Sequence, residues 1–236
     1  MIIFGGIVLN ENEQKTNSHY RLIGWCLIVL SILANAGMAH HPYISASQPE
    51  AQIGQMAQIA GLTMHVHGLL ILVVFIYVWL FTLYGAAKNT PIVWLGSGLF
   101  AAGGLAMAGA ALISGFLAPA MVLGAEINTA KQLAIFEFQS RLLMQSNQVL
   151  ANAATIAWFC ALICWSGNLV RDNTLFRWVG LAGLLIGTIS LLVIATGKWN
   201  LDVRGMSLFV LVISIWFCAL ACCLLWSARR KKFLES

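Results

Sequence analysis

The amino-acid sequence predicts an all-α, polytopic membrane protein, a bundle of six transmembrane helices in a single domain over residues 1–236. Three observations lead to this prediction. Of the 236 residues 60% are hydrophobic and only 9% are charged, whereas a soluble domain needs a surface of which roughly a quarter is charged. The apolar residues fall in six stretches that reach the roughly 20 residues a bilayer requires. Short polar or charged segments separate these stretches.

The six predicted spans follow one another along the chain with short connections. The first contains Ala34-Asn35-Ala36, which resembles a signal-peptide cleavage site, but we interpret this span as a retained helix. Pro91 suits the first turn of the third helix, where its missing N–H breaks no hydrogen bond. The apolar Met1–Leu9 is too short to cross a bilayer. The spans cover approximately residues 21–39, 58–87, 92–123, 133–169, 175–196 and 206–227.

The distribution of Lys and Arg predicts that the N- and C-termini are cytoplasmic. With that orientation, nine basic residues lie on the inner side and four on the outer side, as the positive-inside rule requires. The cluster Arg229–Lys232 therefore serves orientation, and the net charge of +5 does not indicate a nucleic-acid partner. We expect the chain to reside in the lipid bilayer of a bacterial inner membrane.

Helices two, three and four are longer than a bilayer needs. A helix of about 30 residues reaches about 45 Å, against a hydrocarbon core of about 30 Å. The connection between helices two and three, near Lys88–Pro91, is short. We therefore expect the excess length to project on the extracytoplasmic side.

Histidine and methionine gather at the predicted outer ends of helices one and two, which hold four of the five histidines. Imidazole and thioether together suit copper, and two imidazoles from adjacent helices suit b-type haem. A simpler alternative is that these histidines only hydrogen-bond to carbonyls or lipid headgroups. Residues two apart point to different faces of a helix, so at most one histidine of helix two easily joins helix one in a site. The candidate ligands are Met38, His40, His41, Met64, His65 and His67.

Helix four carries a polar stripe at spacings of four, four, three and four residues, which places its members on one helical face. Polar residues inside a membrane usually face the bundle interior or water, so the stripe lines a cavity or joins helices by hydrogen bonds. Glu137 and Arg141 can pair, and beside a metal site they would orient an imidazole or meet a haem propionate. The stripe consists of Glu137, Arg141, Gln145, Gln148 and Asn152.

We assign no chemical role to the remaining features of the sequence. The six cysteines fall in the predicted inner halves of helices one, four and six, where buried Cys usually acts as a small hydrophobe; a soft-metal path through the membrane is the alternative. Small residues such as Gly103, Gly183 and Gly187 allow close helix packing. The sequence contains no phosphate-binding loop, CxxC or HExxH motif.

Three functions remain open, and the sequence does not decide whether the protein is an enzyme. The leading hypothesis is an extracytoplasmic His/Met site that binds copper or haem b, in redox chemistry or metal handling. The second is a transporter or binding protein for a small polar or amphipathic molecule, which uses the stripe on helix four. The third needs no cofactor: an accessory or assembly subunit that docks on other membrane subunits or on a second copy. Metal analysis with an absorption spectrum separates the first from the others.

Overall fold

The computed structural model describes residues 11–42, 49–125, 127–172, 175–197 and 201–233. Over these residues the chain is all-helical and forms six helices, each long and apolar enough to cross a membrane. The predicted six-helix fold is therefore confirmed; Met1–Leu9 lies outside the described residues. The helices are α1 (Glu11–Ala39), α2 (Pro49–Lys88), α3 (Pro91–Leu123), α4 (Ala130–Leu169), α5 (Leu175–Ala195) and α6 (Val203–Phe233).

The turn between α2 and α3 is short for reasons visible in its residues. Asn89 adopts a left-handed conformation with φ 45°, which Asn tolerates better than most residues. Its N–H donates to the carbonyl of Gly85 at 2.8 Å and closes α2. Thr90 is extended, as the residue before a proline prefers, and Pro91 begins α3.

The chain runs up and down, so α1, α3 and α5 finish at one end of the bundle, where α2, α4 and α6 begin. We call this the histidine end, because His41 and His67 lie there, and we call the opposite end the Lys88 end. Helices α2 and α4 have 40 residues each. They reach about 60 Å, twice the hydrocarbon core. The extra residues of α2 precede residue 58, at the histidine end; the extracytoplasmic location of that end stays a prediction.

Large indole rings of α4 pack against glycines of α3 in the core. A Cβ on Gly96 would lie 2.7 Å from Nε1 of Trp165, and a Cβ on Gly103 would overlap Trp158. The ring of Trp165 also stacks on Phe81 at 3.9 Å between centroids. The predicted packing role of Gly103 is confirmed, because any side chain there would separate the two helices.

The outer surface of the bundle carries many large apolar side chains. Leu105, Val149 and Trp178 are 67%, 67% and 70% exposed. Soluble monomers rarely expose apolar surface so extensively, whereas in lipid such side chains face a matching solvent. The protein is an integral membrane protein.

Candidate functional site

Two of the predicted histidine ligands meet at the histidine end. His41 follows the last turn of α1, where its N–H donates to the carbonyl of Met38 at 3.2 Å. His67 lies in α2 and is buried, with 5% of its surface exposed. The Nε2 atoms of the two rings are 3.3 Å apart, and the rings meet edge to face with centroids 4.8 Å apart. We call these two residues the histidine pair.

The second ring nitrogen of each histidine determines what the facing nitrogens can do. Nδ1 of His41 lies 3.0 Å from the carbonyl oxygen of Pro42, and Nδ1 of His67 lies 2.8 Å from that of Thr63. A carbonyl oxygen only accepts, so each Nδ1 carries the proton and each neutral ring has its lone pair on Nε2. Two lone pairs then face each other. A cation between them, either a proton or a metal ion, would remove the repulsion and give both Nε2 atoms a partner.

The surroundings of His41 favour the neutral form of its ring. Burial lowers the pKa of His41, and the hydrogen bond to Pro42 offsets only part of that effect. A neutral imidazole is the form that ligates metals. Burial therefore favours the form of His41 that could bind a metal through Nε2.

The other two candidate histidines are oriented elsewhere. His40 and His65 are exposed, and each Nδ1 donates to the carbonyl four residues earlier in its helix, to Ala36 at 2.9 Å and to Gly61 at 2.6 Å. These two residues match the simpler alternative of a histidine bonded to the backbone. Met64 is half-buried and, like both of them, lies outside the cavity that the histidine pair lines.

A cavity of about 460 Å³ opens beside the histidine pair, between α1, α2, α3, α4 and α6. Met38 lines it one turn before His41 and is only 7% exposed. Among the described residues, no three His, Cys, Asp or Glu side chains are grouped as metal ligands. Of the four methionines in the lining, Met38 is the one beside His41 in sequence, and its thioether is the candidate third donor to the two imidazoles.

The stripe of α4 is divided between the cavity and the surface. Gln148 lines the cavity, and its amide donates to the carbonyl of Leu201 at 3.1 Å. Gln145 is exposed. Glu137 and Arg141 form a surface ion pair at 3.0 Å, with 75% of the Arg141 side chain exposed. The structure thus brings one of the five stripe residues to the cavity lining and leaves the other four, including Asn152, outside it.

Sequence reasoning missed two features of this site. Asn147 lines the cavity beside Gln148, but a search for four-residue spacing excluded it. The helix α3 is α-helical to Leu112, makes one π-helical turn over Ile113–Leu117 and resumes as an α-helix at Ala118. Gly115 in this turn packs directly on His67, and a Cβ there would overlap the Cβ of His67. Gly115, within the π-helical turn, therefore leaves the space that the His67 ring occupies; such turns are frequent at functional sites.

The site combines two imidazole Nε2 lone pairs that face each other across 3.3 Å, a buried thioether and a largely apolar cavity behind them. This combination can hold a soft cation at one end and an apolar group at the other. Comparisons with known protein families, with curated proteins and with solved structures find no match for this chain.

Proposed function

We propose that this membrane protein binds a single copper ion, as Cu(I), between His41 and His67, with the sulfur of Met38 as the third ligand. The observation that carries the proposal is the pair of Nε2 atoms that face each other. The Nδ1 atom of each ring already donates to a carbonyl oxygen, so Nε2 is the nitrogen left for the ion. The ion would lie between the two Nε2 lone pairs that face each other. Redox chemistry or copper handling at the extracytoplasmic face is the role we infer for the site.

The distance between the two nitrogens supports copper over a haem held by both histidines. Metal–imidazole bonds are about 2.0 Å long, so two ligands at a tetrahedral angle are about 3.3 Å apart and two in line are about 4 Å apart. The separation in this structure is 3.3 Å. A thioether also selects Cu(I) over harder ions.

The test is a Cu(I) titration of the purified full-length protein against a chromophoric competitor. We expect one ion per chain, and a loss of affinity of at least about 100-fold in His41→Ala or His67→Ala, because a direct ligand contributes more than the outer partners whose loss costs 10–100-fold. His40→Ala and His65→Ala are matched controls, since both rings are exposed and bonded to their own helix. Equal losses in all four variants would refute the proposal, as would a haem absorption band without copper.

A second candidate function is the binding or transport of a small amphipathic molecule. The observation that favours it is the cavity itself, with Gln148 of α4 in its wall. Under this function Gln148→Leu abolishes uptake or binding, while Gln145→Leu, whose side chain is exposed, leaves it unchanged.

A further inference from the structure

The cavity beside the histidine pair extends along the helices, and we call it the chamber. On α2 its lining runs from His67 to Tyr77, and on α4 it runs from Met144 to Trp158. At the α-helical rise these intervals correspond to about 15 Å and about 21 Å. Its volume of about 460 Å³ lies within the size range of sites for one small ligand. The chamber can therefore hold a single elongated molecule.

The deep end of the chamber, farthest from the histidine pair, is apolar and aromatic. Two polar aromatic groups there already have partners within the protein. Nε1 of Trp158 donates to the carbonyl of Phe100 at 3.0 Å, and the hydroxyl of Tyr77 lies 3.1 Å from that of Ser31. Water entering this end would find few partners, and apolar cavities stay dry but accept apolar molecules. The deep end therefore suits a hydrocarbon group.

The histidine end of the chamber presents hydrogen-bond acceptors that lack a donor among the described residues. Nδ1 of each ring in the histidine pair donates to a carbonyl oxygen, so Nε2 of each neutral ring can only accept. The two Nε2 atoms face each other at 3.3 Å, and neither supplies a proton to the other. His67 is only 5% exposed, and a buried acceptor without a donor costs free energy. A ligand with N–H or O–H groups would remove that cost.

The charge at this end favours a cationic ligand over an anionic one. With the histidine pair neutral, Asp202 is the only charged side chain among the described residues that line the chamber. Its carboxylate accepts from the N–H of Gly205 at 2.8 Å as the cap of α6, which leaves lone pairs for a second donor. The amides of Asn147 and Gln148 both donate and accept, and they favour neither sign of charge. Because Asp202 is exposed to solvent, its attraction for a cation is moderate.

We propose that the chamber binds a single-chain ammonium amphiphile, for which a protonated long-chain primary amine is the simplest example. Its N–H groups donate to the facing Nε2 atoms, at the end of the chamber where the Asp202 carboxylate also lies. Its chain extends past Ala111 toward Trp158. An ammonium group carries three donors and no acceptor, which matches an end that offers acceptors. This inference rests on the second candidate function, and it requires neither copper nor a protonated histidine.

The test measures the binding of isotope-labelled dodecylamine to the full-length protein in phosphatidylcholine nanodiscs at neutral pH, with empty nanodiscs as the blank. Dodecanol has the same chain with a neutral head, and dodecyltrimethylammonium has the charge without an N–H group. We expect both to bind at least tenfold more weakly than dodecylamine. Equal binding of dodecanol would refute the cationic head, and equal binding of dodecyltrimethylammonium would refute donation to the histidine pair.

Asp202→Asn removes the charge and keeps the cap of α6, because Asn and Asp are about equally good at the N-cap position. We expect it to weaken dodecylamine binding at least fivefold and to leave dodecanol binding unchanged. Glu137→Gln is the matched control, since it removes one carboxylate from the surface of α4, outside the chamber lining. Equal losses in the two variants would overturn the placement of the ammonium head near Asp202.

The position of the chain is tested by a second pair of variants. Ala111→Leu adds atoms to the chamber wall, and Ala102→Leu adds the same atoms on the exposed face of α3. We expect Ala111→Leu to weaken dodecylamine binding at least tenfold and Ala102→Leu to leave it unchanged. Equal binding by both would overturn the proposed path of the chain.

The results also separate this inference from the proposed copper site. Failure of dodecylamine to bind the wild-type protein while copper still binds overturns this inference alone, and the reverse result overturns the copper site alone. If dodecanol binds as tightly as dodecylamine, the ammonium head is refuted while the second candidate function stands.

Discussion

His65 and His67 lie two residues apart on α2 and have opposite surroundings. One ring is exposed and bonded to its own helix, and the other is buried against His41. The difference follows from helix geometry, because residues two apart point about 200° apart around the axis. Only one of these two histidines can therefore face His41.

The proposed role of the Met38 sulfur as a copper ligand can be tested by a substitution that preserves the side-chain volume. Met38→Leu should weaken Cu(I) binding by at least about 100-fold, because the thioether ligand is lost and the loss of an outer partner alone costs about 10–100-fold. It should change the free energy of unfolding by less than about 1.5 kcal/mol, since the two side chains are similar in size. The measurement is the competitor titration, with thermal denaturation alongside.

Met64→Leu is the matched control for this prediction, because Met64 lies outside the cavity lining. A Met38→Leu protein that binds copper like the wild type would show that the thioether is not a ligand.

The pH dependence of copper binding follows from His41. A protonated imidazole cannot bind the metal, so affinity falls as pH falls through the pKa of the ligand. Because burial lowers the pKa of His41, affinity should stay near its neutral value at the ordinary histidine pKa of about 6.5 and decline only at lower pH. Titrations between pH 7.5 and 5 check this, and a decline that begins above pH 7 would contradict it.

Much of the site at this scale could be predicted from residue type. The spacing of His65 and His67 indicated that only one of them could face helix one, but not which one. That choice depends on the rotation of α2 against α1 and α3, which is determined by packing with residues far along the chain. Asn147 was missed for the same reason, because α4 turns a neighbour of its polar stripe toward the cavity.

At the scale of the elements, the π-helical turn of α3 is the feature that no pattern in the sequence predicts. Ile113–Leu117 contains Ser114 and Gly115, and Gly is a poor helix former. Similar small residues at 96–98 stay α-helical, so composition does not locate the turn, which forms where α3 passes the His67 ring. The six helices themselves were predictable, because apolar length determines them. Their ends were less so: α1 begins at Glu11 and α2 at Pro49, about ten residues before the apolar stretches, since polar residues can continue a helix beyond the membrane.

Gly115→Ala tests whether this turn positions His67. The added Cβ would overlap His67, so we expect a loss of stability of about 1–3 kcal/mol, typical of overpacking, and at least tenfold weaker copper binding. Unfolding in denaturing detergent and the Cu(I) titration provide the two measurements.

Gly98→Ala on the same helix is the control, because no atom lies within 4 Å of its added Cβ. It should leave copper binding unchanged and stabilise the helix slightly, since Ala is the better helix former. If Gly115→Ala behaves in the same way, the turn does not position the ring.

At the scale of the whole molecule, the orientation of the protein in the membrane determines from which side a ligand can reach the site. The Lys and Arg asymmetry predicts that the histidine end is extracytoplasmic, where copper would reach the pair without crossing the bilayer. A green fluorescent protein fused after residue 236 should then fluoresce. Alkaline phosphatase fused after Ala125, at the histidine end, should be active, whereas a fusion after Asn89 should be inactive. The opposite pattern would place the site in the cytoplasm.

The π-helical turn has a further consequence for how such a site arises. A π-helical turn holds one more residue than the α-helical turn it replaces. Deleting one residue within 113–117 would leave nearly all of the composition and hydropathy of α3 unchanged. It would nevertheless restore a continuous α-helix and fill the recess behind the imidazole. The proposed copper site would thus depend on a single codon that encodes no ligand, and a chain lacking it would look almost identical in sequence while having no place for the ion.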